Sequence, residues 1–338
     1  MDDTIYGTRN RRGDWTPNER VEYAPLFAWP PKPLGNLKWL FGYPGYIWPW
    51  NLFYAGLAVA AWFLATPSIG AMRSFSPGWI AIVLVRNAVL IFCWYGVFHL
   101  RLYMRRTQEN RFKYNSQGQA RDSQFFNFRS QTKDNMFWTL ASGLPMWTAY
   151  EVVTLWMFAN GHIPWLDFAD NPVWFIALML LIPLVREFHF HWIHRMLHWP
   201  PLYKWVHSLH HRNTNPGPWS GLSMHPVEHL FYFSGILIHW VIPSHPIHAM
   251  FHAFHAGLSP VPGHTGYHKV ELGDERSIDT NAHAHYLHHK YFEVNYSDGA
   301  IPLDRWFGSF HDGSPTADEA MKKRLASRAA RKQDPVKS

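Results

Sequence analysis

Histidine is the residue type in this chain with the most concentrated chemical potential. There are 23 of them, and they cluster: "HRMLH" at 194–198, "HSLHH" at 207–211 and "HAHYLHH" at 283–289. Each helical step turns about 100°, so residues three and four apart share one side. That places His194 with His198, His207 with His210 and His211, and His285 with His288 and His289. Two further pairs are spaced four apart, His225 with His229 in "HPVEH" and His264 with His268 in "GHTGYH", the latter beside glycines that allow close backbone approach. A helix leading into the first cluster also carries Glu187 and His191 on that side, where they could stand behind the cluster as hydrogen-bond acceptors. Neutral imidazole is the commonest metal ligand. One tetrahedral zinc takes about three or four, so a surplus of this size predicts two metals, each held by several imidazoles. His162, His239, His245, His248, His252, His255 and His311, outside these clusters, are read as hydrogen-bonded structural histidines.

Helices must position these clusters, and five apolar windows supply them: Tyr46–Thr66, Trp79 to about Leu100, Met136–Ala159, Pro172 to about Glu187, and Leu230 to about Ala256. About 20 apolar residues cross a bilayer, so the first three are long enough and the fourth is at the short end. The fifth is broken by "IPSHP" at 242–246 and reads as two half-length helices in a hairpin. Trp48, Trp50, Trp79 and Trp174 at window ends suit an interfacial belt. The expected fold is therefore an all-α integral membrane protein, with about four transmembrane helices plus a helical hairpin, and a helical cap holding a histidine-rich dimetal site.

Basic residues orient it. Arg9, Arg11, Arg12, Arg20, Lys32 and Lys38 precede the first window, and Arg105, Arg106, Arg111, Lys113, Arg121, Arg129 and Lys133 lie between the second and third, whereas the connections at 67–78 and 160–171 are nearly free of them. The positive-inside rule then puts the amino terminus, the 101–135 loop, the 186–229 region and the tail in the cytosol, and all three clusters with them. The organisation expected is a cytosolic segment at 1–45, transmembrane helices at 46–171, a catalytic domain at 172–313 and a basic tail at 314–338, disordered or a loose surface helix. The single cysteine, Cys93, excludes intrachain disulfides and thiolate metal sites. No apolar h-region precedes the first window, so no cleavable signal peptide is expected. A net charge of +7 on such a chain points to lipid surfaces rather than nucleic acid.

The order HxxxH, HxxHH, HPxEH, GHxGY, HxxHH, followed by "NYSDGAIPLDRWFGSFHDG" at 295–313, resembles the fatty acid hydroxylase superfamily, also called the sterol desaturase family, over roughly residues 172–313. The resemblance implies a membrane enzyme with two non-haem irons. It carries the role of iron ligand to His194, His198, His207, His210, His211, His285, His288 and His289, and also to His264 and His268. His225 and Glu228 match the HPxE element and are placed with His229 at the edge of the site. His283 and the histidine-rich 239–255 hairpin depart from the pattern, and either could add a ligand.

Abstracting hydrogen from an unactivated CH₂ lies beyond acid–base catalysis, so a redox metal and O₂ are required. The expected function is an O₂-dependent hydroxylase or desaturase acting on a sterol, fatty acyl or polar-lipid substrate entering laterally from the membrane. Iron is the expected metal, and zinc competes well at imidazole sites and could replace it in purified protein. With no nucleotide loop, cysteine set or fused haem domain in the chain, the electron donor is expected to be a separate protein, of cytochrome b5 or ferredoxin type. A bacterial inner membrane and an endoplasmic reticulum both fit. The rival from another class is a histidine-rich membrane metal transporter or metal-binding protein, which would place its ligands near the bilayer midplane; a scaffold that had lost activity would be expected to have lost a ligand. The lipid, the carbon attacked, hydroxylation against desaturation and the oligomeric state stay open at this level.

Overall fold

The apolar windows become helices whose ends are marked by proline and asparagine. We describe a computed structural model covering residues 1–297 and 299–333, with side chains through Ser327. A short helix α1, Pro33–Phe41, precedes a wide π-helical turn, Ile47–Asn51, which runs into α2, Leu52–Ala65. Helix α3, Pro77–His99, continues through a second such turn, Leu100–Met104. Helix α4, Gln131–Trp138, joins α5, Leu144–Ala159, through a third, Thr139–Gly143. Helix α6 spans Pro172–Leu197; Asn171 Oδ1 accepts from Trp174 N at 3.0 Å to cap it, with proline at the first position where its missing N–H costs nothing.

Three helices among the described residues are long and apolar enough to cross a membrane: Ile47–Ala65, Pro77–Met104 and Pro172–Leu197. Their outward faces carry residues that a water-soluble protein would bury, such as Leu64, Val85 and Val173, as expected of surfaces that face lipid.

The expectation of about four such helices is thus corrected to three. The Met136–Ala159 window falls across α4 and α5, whose buried faces mix apolar residues such as Trp147, Val152 and Leu155 with polar ones: Asp134, Asn135, Thr139, Ser142, Thr148, Glu151 and Thr154. Glu151 pairs with Arg86 of α3 and accepts from Asn87 Nδ2 at 2.9 Å. These helices are held by a polar seam inside the bundle, which a window average over apolar residues conceals.

The fifth window breaks where its prolines predict. Helix α9, Pro226–Phe233, passes into a tight turn, Ser234–Trp240, and α10 starts at Pro246 and ends at Leu258. Every residue of α10 is buried. It lies against α2 in antiparallel fashion, with His255 beside Asn51 and Tyr54, and His245 beside Trp62. Two of the expected belt tryptophans are elsewhere. Trp79 is buried and donates to Ser74 O, and Trp50 reaches inward to donate to Asp279 O.

The remaining elements form a cap at one end of the helices: α7, Pro200–Leu202, a π-helical turn, Tyr203–His207, then α8, Ser208–His211, α11, Pro260–Gly263, α12, His283–Tyr291, α13, Leu303–Trp306, and α14, Pro315–Gln333. Two small antiparallel hairpins join it, β1 (Gly7–Arg9) with β2 (Trp15–Pro17), and β3 (Lys269–Glu271) with β4 (Ser277–Asp279). The amino-terminal segment and the 101–135 loop both dock on this cap. Phe112 N donates to Asp3 Oδ2 at 2.9 Å, Arg111 grips both oxygens of Glu271, and Gln131 Nε2 donates to Asn213 Oδ1 at 3.0 Å. The tail expected to be disordered or a loose helix is helical through Gln333, and "DPVKS" at 334–338 lies outside the described residues.

Candidate metal centre

Nine buried or nearly buried histidines converge at the junction of bundle and cap, in two groups. His194, His198, His207, His211 and His288 form the first; His210, His264, His285 and His289 form the second. Within each group one ring nitrogen per residue lies within 4.8 Å of all the others. Helical geometry explains the sorting. In each HxxHH cluster the outer pair, four residues apart, faces one group, and the middle histidine, rotated by about 100° from its neighbour, faces the other. His207 and His211 therefore go to the first group and His210 to the second, while His285 and His289 go to the second and His288 to the first. The HxxxH pair of α6 joins the first group, and His264 completes the second.

The spacings are those of ligands around an ion. His211 Nε2 lies 3.1 Å from His198 Nε2 and 3.0 Å from His288 Nε2. His264 Nε2 lies 2.9 Å from His285 Nε2, 3.3 Å from His289 Nε2 and 3.4 Å from His210 Nε2. Two nitrogens each about 2.1 Å from one metal stand about 3.0–3.4 Å apart for bond angles between right-angled and tetrahedral.

Proton positions sharpen the point. The Nδ1–H of His194 donates to Tyr296 O at 2.8 Å, that of His210 to Ser223 O at 3.3 Å, that of His264 to Pro260 O at 2.7 Å, and that of His288 to Val294 O at 2.6 Å. A carbonyl can only accept, so each of these rings carries its proton on Nδ1 and a bare lone pair on Nε2. His210 and His264 thus point two lone pairs at one another with no proton between them. Burial, reinforced in His264 and His288 by neighbouring imidazoles, opposes charging the rings: it lowers His210 to about 4, and holds His264 and His288 well below the ordinary value. A cation is the partner that such a set lacks. The residues present therefore fit two metal ions.

Supporting contacts come from elements around the groups. His207 Nδ1 lies 2.8 Å from Glu228 Oε1, whose carboxyl burial pushes well above the usual carboxylate range; positive charge among the imidazoles would offset that cost. Glu187 Oε1 accepts from Gly299 N and Ile301 N, both at 3.0 Å. Asp304 accepts from Tyr296 N and Ser297 N, both at 2.9 Å. These two acids shape the 295–313 loop so that Tyr296 O meets His194. Gly266 has φ +76°, and a Cβ there would lie 2.9 Å from Pro216 O, so the turn between His264 and His268 requires glycine.

Several expected residues lie outside both groups. His268 lies apart from the other nine histidines, in a third cluster of potential metal ligands with Glu19 and Asp279. Its Nδ1 bonds Tyr114 Oη at 3.0 Å, and its Nε2 faces Asp279 and Glu19 at 3.8 and 3.9 Å on the rim of the cavity, because the Gly266 turn reverses the chain and separates it from His264. His225 caps α9, accepting from Val227 N. His229 braces the third π-helical turn through Ser142 Oγ at 2.9 Å and faces Leu222 O. His283 stacks on Tyr114. His191 is buried, with Nδ1 4.0 Å from Asp304 Oδ1. The carbonyls of Ser223, Pro260, Val294 and Tyr296 went unread in the sequence, because a backbone acceptor leaves no signature in residue type.

A cavity of about 570 Å³ opens beneath the two groups. His194, His207, His210, His264 and His285 form one wall, Tyr46, Trp50, Tyr54, Pro183 and Leu184 continue it between α2 and α6, and Glu19–Pro25 roof it.

Residues 179–309 match the fatty acid hydroxylase family model. This stretch carries the three histidine clusters and is similar to the fatty acid hydroxylase superfamily. The chain is 30% identical over 148 residues to a Delta(7)-sterol 5(6)-desaturase, ERG3B, of Gibberella zeae, covering 43% of this chain and 45% of the relative. It is 30% identical over 166 residues to erg3C of Aspergillus fumigatus, a protein of the same name, covering 43% and 52%. It is 32% identical over 138 residues to methylsterol monooxygenase 2-2 of Arabidopsis thaliana, covering 39% and 52%. The chain thus spans about half the length of the curated relatives it matches. No solved structure matches it.

Proposed function

We propose that this protein is an O₂-dependent lipid hydroxylase or desaturase using two irons, with a sterol or another membrane lipid as substrate. One observation carries the reading: bare imidazole lone pairs converge in two buried groups that share a wall with a cavity reaching the apolar helices. The sterol desaturase and methylsterol monooxygenase relatives supply the substrate class.

Two bound irons would supply the one-electron chemistry and O₂ activation that no side chain provides. The chain's own contribution is positional. The Nδ1–H bonds to carbonyls hold the rings of His194, His210, His264 and His288 in one tautomer and one orientation. Glu228 orients His207 in the same way. Trp50, Tyr54 and Leu184 offer the apolar part of the cavity to the body of a lipid, and the 19–25 segment shields the groups from solvent. Electrons come from a separate carrier of cytochrome b5 or ferredoxin type. The basic segments at 9–38 and 105–133 support a cytosolic face for the cap.

The test is a comparison of lipid extracts from cells expressing the wild-type chain, His288→Ala and no chain. A lipid species shifted by one oxygen, or by loss of two hydrogens, in wild type alone is the expected result. An unchanged lipid profile with metal accumulating across the membrane would replace this reading with metal transport.

A further inference from the structure

Between the roof of the cavity and the first span, the 26–43 segment turns apolar side chains away from the protein. Helix α1 buries no residue. Trp29 is 90% exposed and Leu34 83%, and Leu37, Phe41 and Tyr43 are exposed as well. An apolar surface of this kind has a partner, and the chain indicates which. The segment runs directly into Ile47–Ala65, one of the three helices long and apolar enough to cross a membrane, and Lys32 and Lys38 stand exposed within it. Aromatic and aliphatic side chains interspersed with lysine suit the boundary between headgroups and acyl chains, where the rings sit in the apolar layer and the ammonium groups reach anionic lipid.

The inner side of the same region closes the cavity. A tight turn folds Tyr46 back onto α1: Tyr46 N donates to Trp39 O at 2.6 Å, and the two rings lie 4.6 Å apart. Gly45 permits the turn, since a Cβ there would lie 2.7 Å from Trp39 O. From this position Tyr46 Oη donates to Leu180 O at 2.6 Å and ties the start of the first span to α6. Helices α2 and α6 each pack on α10, and the cavity reaches between them, lined there by Trp39, Tyr46, Trp50, Pro183 and Leu184. Beside the tie, Leu180 and Leu181 of α6 and Leu52 of α2 are exposed. Apolar surface therefore lies on both sides of a contact made by one hydroxyl. Pro183 loosens α6 at the same level: having no N–H, it leaves Met179 O without a helical donor, next to the carbonyl that Tyr46 holds.

We propose that a membrane lipid enters the cavity from the leaflet on the cap side through the slot between α2 and α6, that Tyr46 stacked on Trp39 is the gate of this slot, and that the 26–43 segment lies in that leaflet as its outer wall. The inference rests on the lipid-oxidising reading of the cavity and adds to it the route and the residues that control it. Opening costs the one hydrogen bond between Tyr46 and Leu180, and the apolar surface it uncovers meets acyl chains rather than water. Tyr46 and Trp39 are gating residues; neither holds a metal.

Wall and gate are tested separately. In full-length protein on a Cys93→Ser background, reconstituted in phospholipid vesicles, a nitrobenzoxadiazole fluorophore attached at Leu34→Cys or at Phe41→Cys should be quenched by lipids brominated on their acyl chains, and one at Arg11→Cys should not. Failure of quenching at either of the first two positions, as when a second copy or a soluble protein covers the face, would overturn the wall. In iron-loaded protein, Tyr46→Phe should raise kcat/KM about 2–10-fold, through KM, because the bond that holds the slot shut is gone. A Tyr46→Cys/Leu180→Cys pair bridged by a reducible bis-methanethiosulfonate should lose at least about 10-fold in turnover against its unbridged form and regain it when the bridge is reduced, with metal content constant. Bridging Trp62→Cys/Trp165→Cys, whose native rings lie 6.4 Å apart at the far end of the bundle, should change nothing. Equal turnover with and without the Tyr46→Cys/Leu180→Cys bridge, equal loss from both bridges, or a kcat/KM unchanged or lowered in Tyr46→Phe would each overturn the gate. If wild type oxidises no lipid, the oxygenase reading falls and the gate with it; if wild type turns over and neither bridge nor Tyr46→Phe alters the rate, the gate alone falls.

Discussion

The imidazole proton is what distinguishes one histidine from another here. His264 and His268 are four apart in one motif, yet His264 gives its Nδ1–H to a carbonyl and points a bare Nε2 at three other rings, while His268 bonds Tyr114 on the rim. His268→Ala is accordingly expected to retain full metal content by elemental analysis, whereas His264→Ala should lose the metal of the second group. Glu228→Gln keeps a hydrogen-bond acceptor for His207 but removes the charge; metal affinity measured against a competing chelator should fall about 10–100-fold. The sequence exposed these candidates because i, i+3 and i+4 spacing is visible in it. It did not divide them into two groups, since the division follows from about 100° of rotation between adjacent residues combined with where α8, α12 and the His264 turn meet in space. The partners that fix the tautomers are mostly backbone carbonyls, and nothing in residue type marks them.

Elements explain which expectations met the structure. Prolines and apolar runs were enough to place α2, α3 and α6 and the break before α10, because these are local properties. The Met136–Ala159 window misled because Thr148 and Glu151 are spread thinly through it and act together with Arg86 and Asn87 only when α5 packs on α3. Arg86 and Glu151 form the centre of that contact, both buried. Replacing Arg86 with Leu would leave a buried carboxylate without its cation, and stability should drop by roughly 3–5 kcal/mol. Thermal unfolding in detergent should show a clear fall for Arg86→Leu, with much of it recovered in Arg86→Leu/Glu151→Leu. A small change in the single variant would mean that the seam is solvated or dispensable.

At the scale of the whole molecule, the amino-terminal segment, the 101–135 loop and the cap are one packed unit at one end of the bundle, and the 160–171 connection lies at the other. The positive-inside assignment and this packing put the same segments together by separate routes. The single Cys93 makes a direct check practical. On a Cys93→Ser background, cysteines placed at Arg121 and His162 should react with an impermeant reagent from opposite sides of the membrane, and labelling from the same side would break the topology. The account as a whole turns on two cations held by five and four imidazoles. Metal per chain in detergent-purified protein from iron-supplemented cells measures this directly. About two metal ions per chain is the predicted result; one or none, in protein that remains folded, would contradict it.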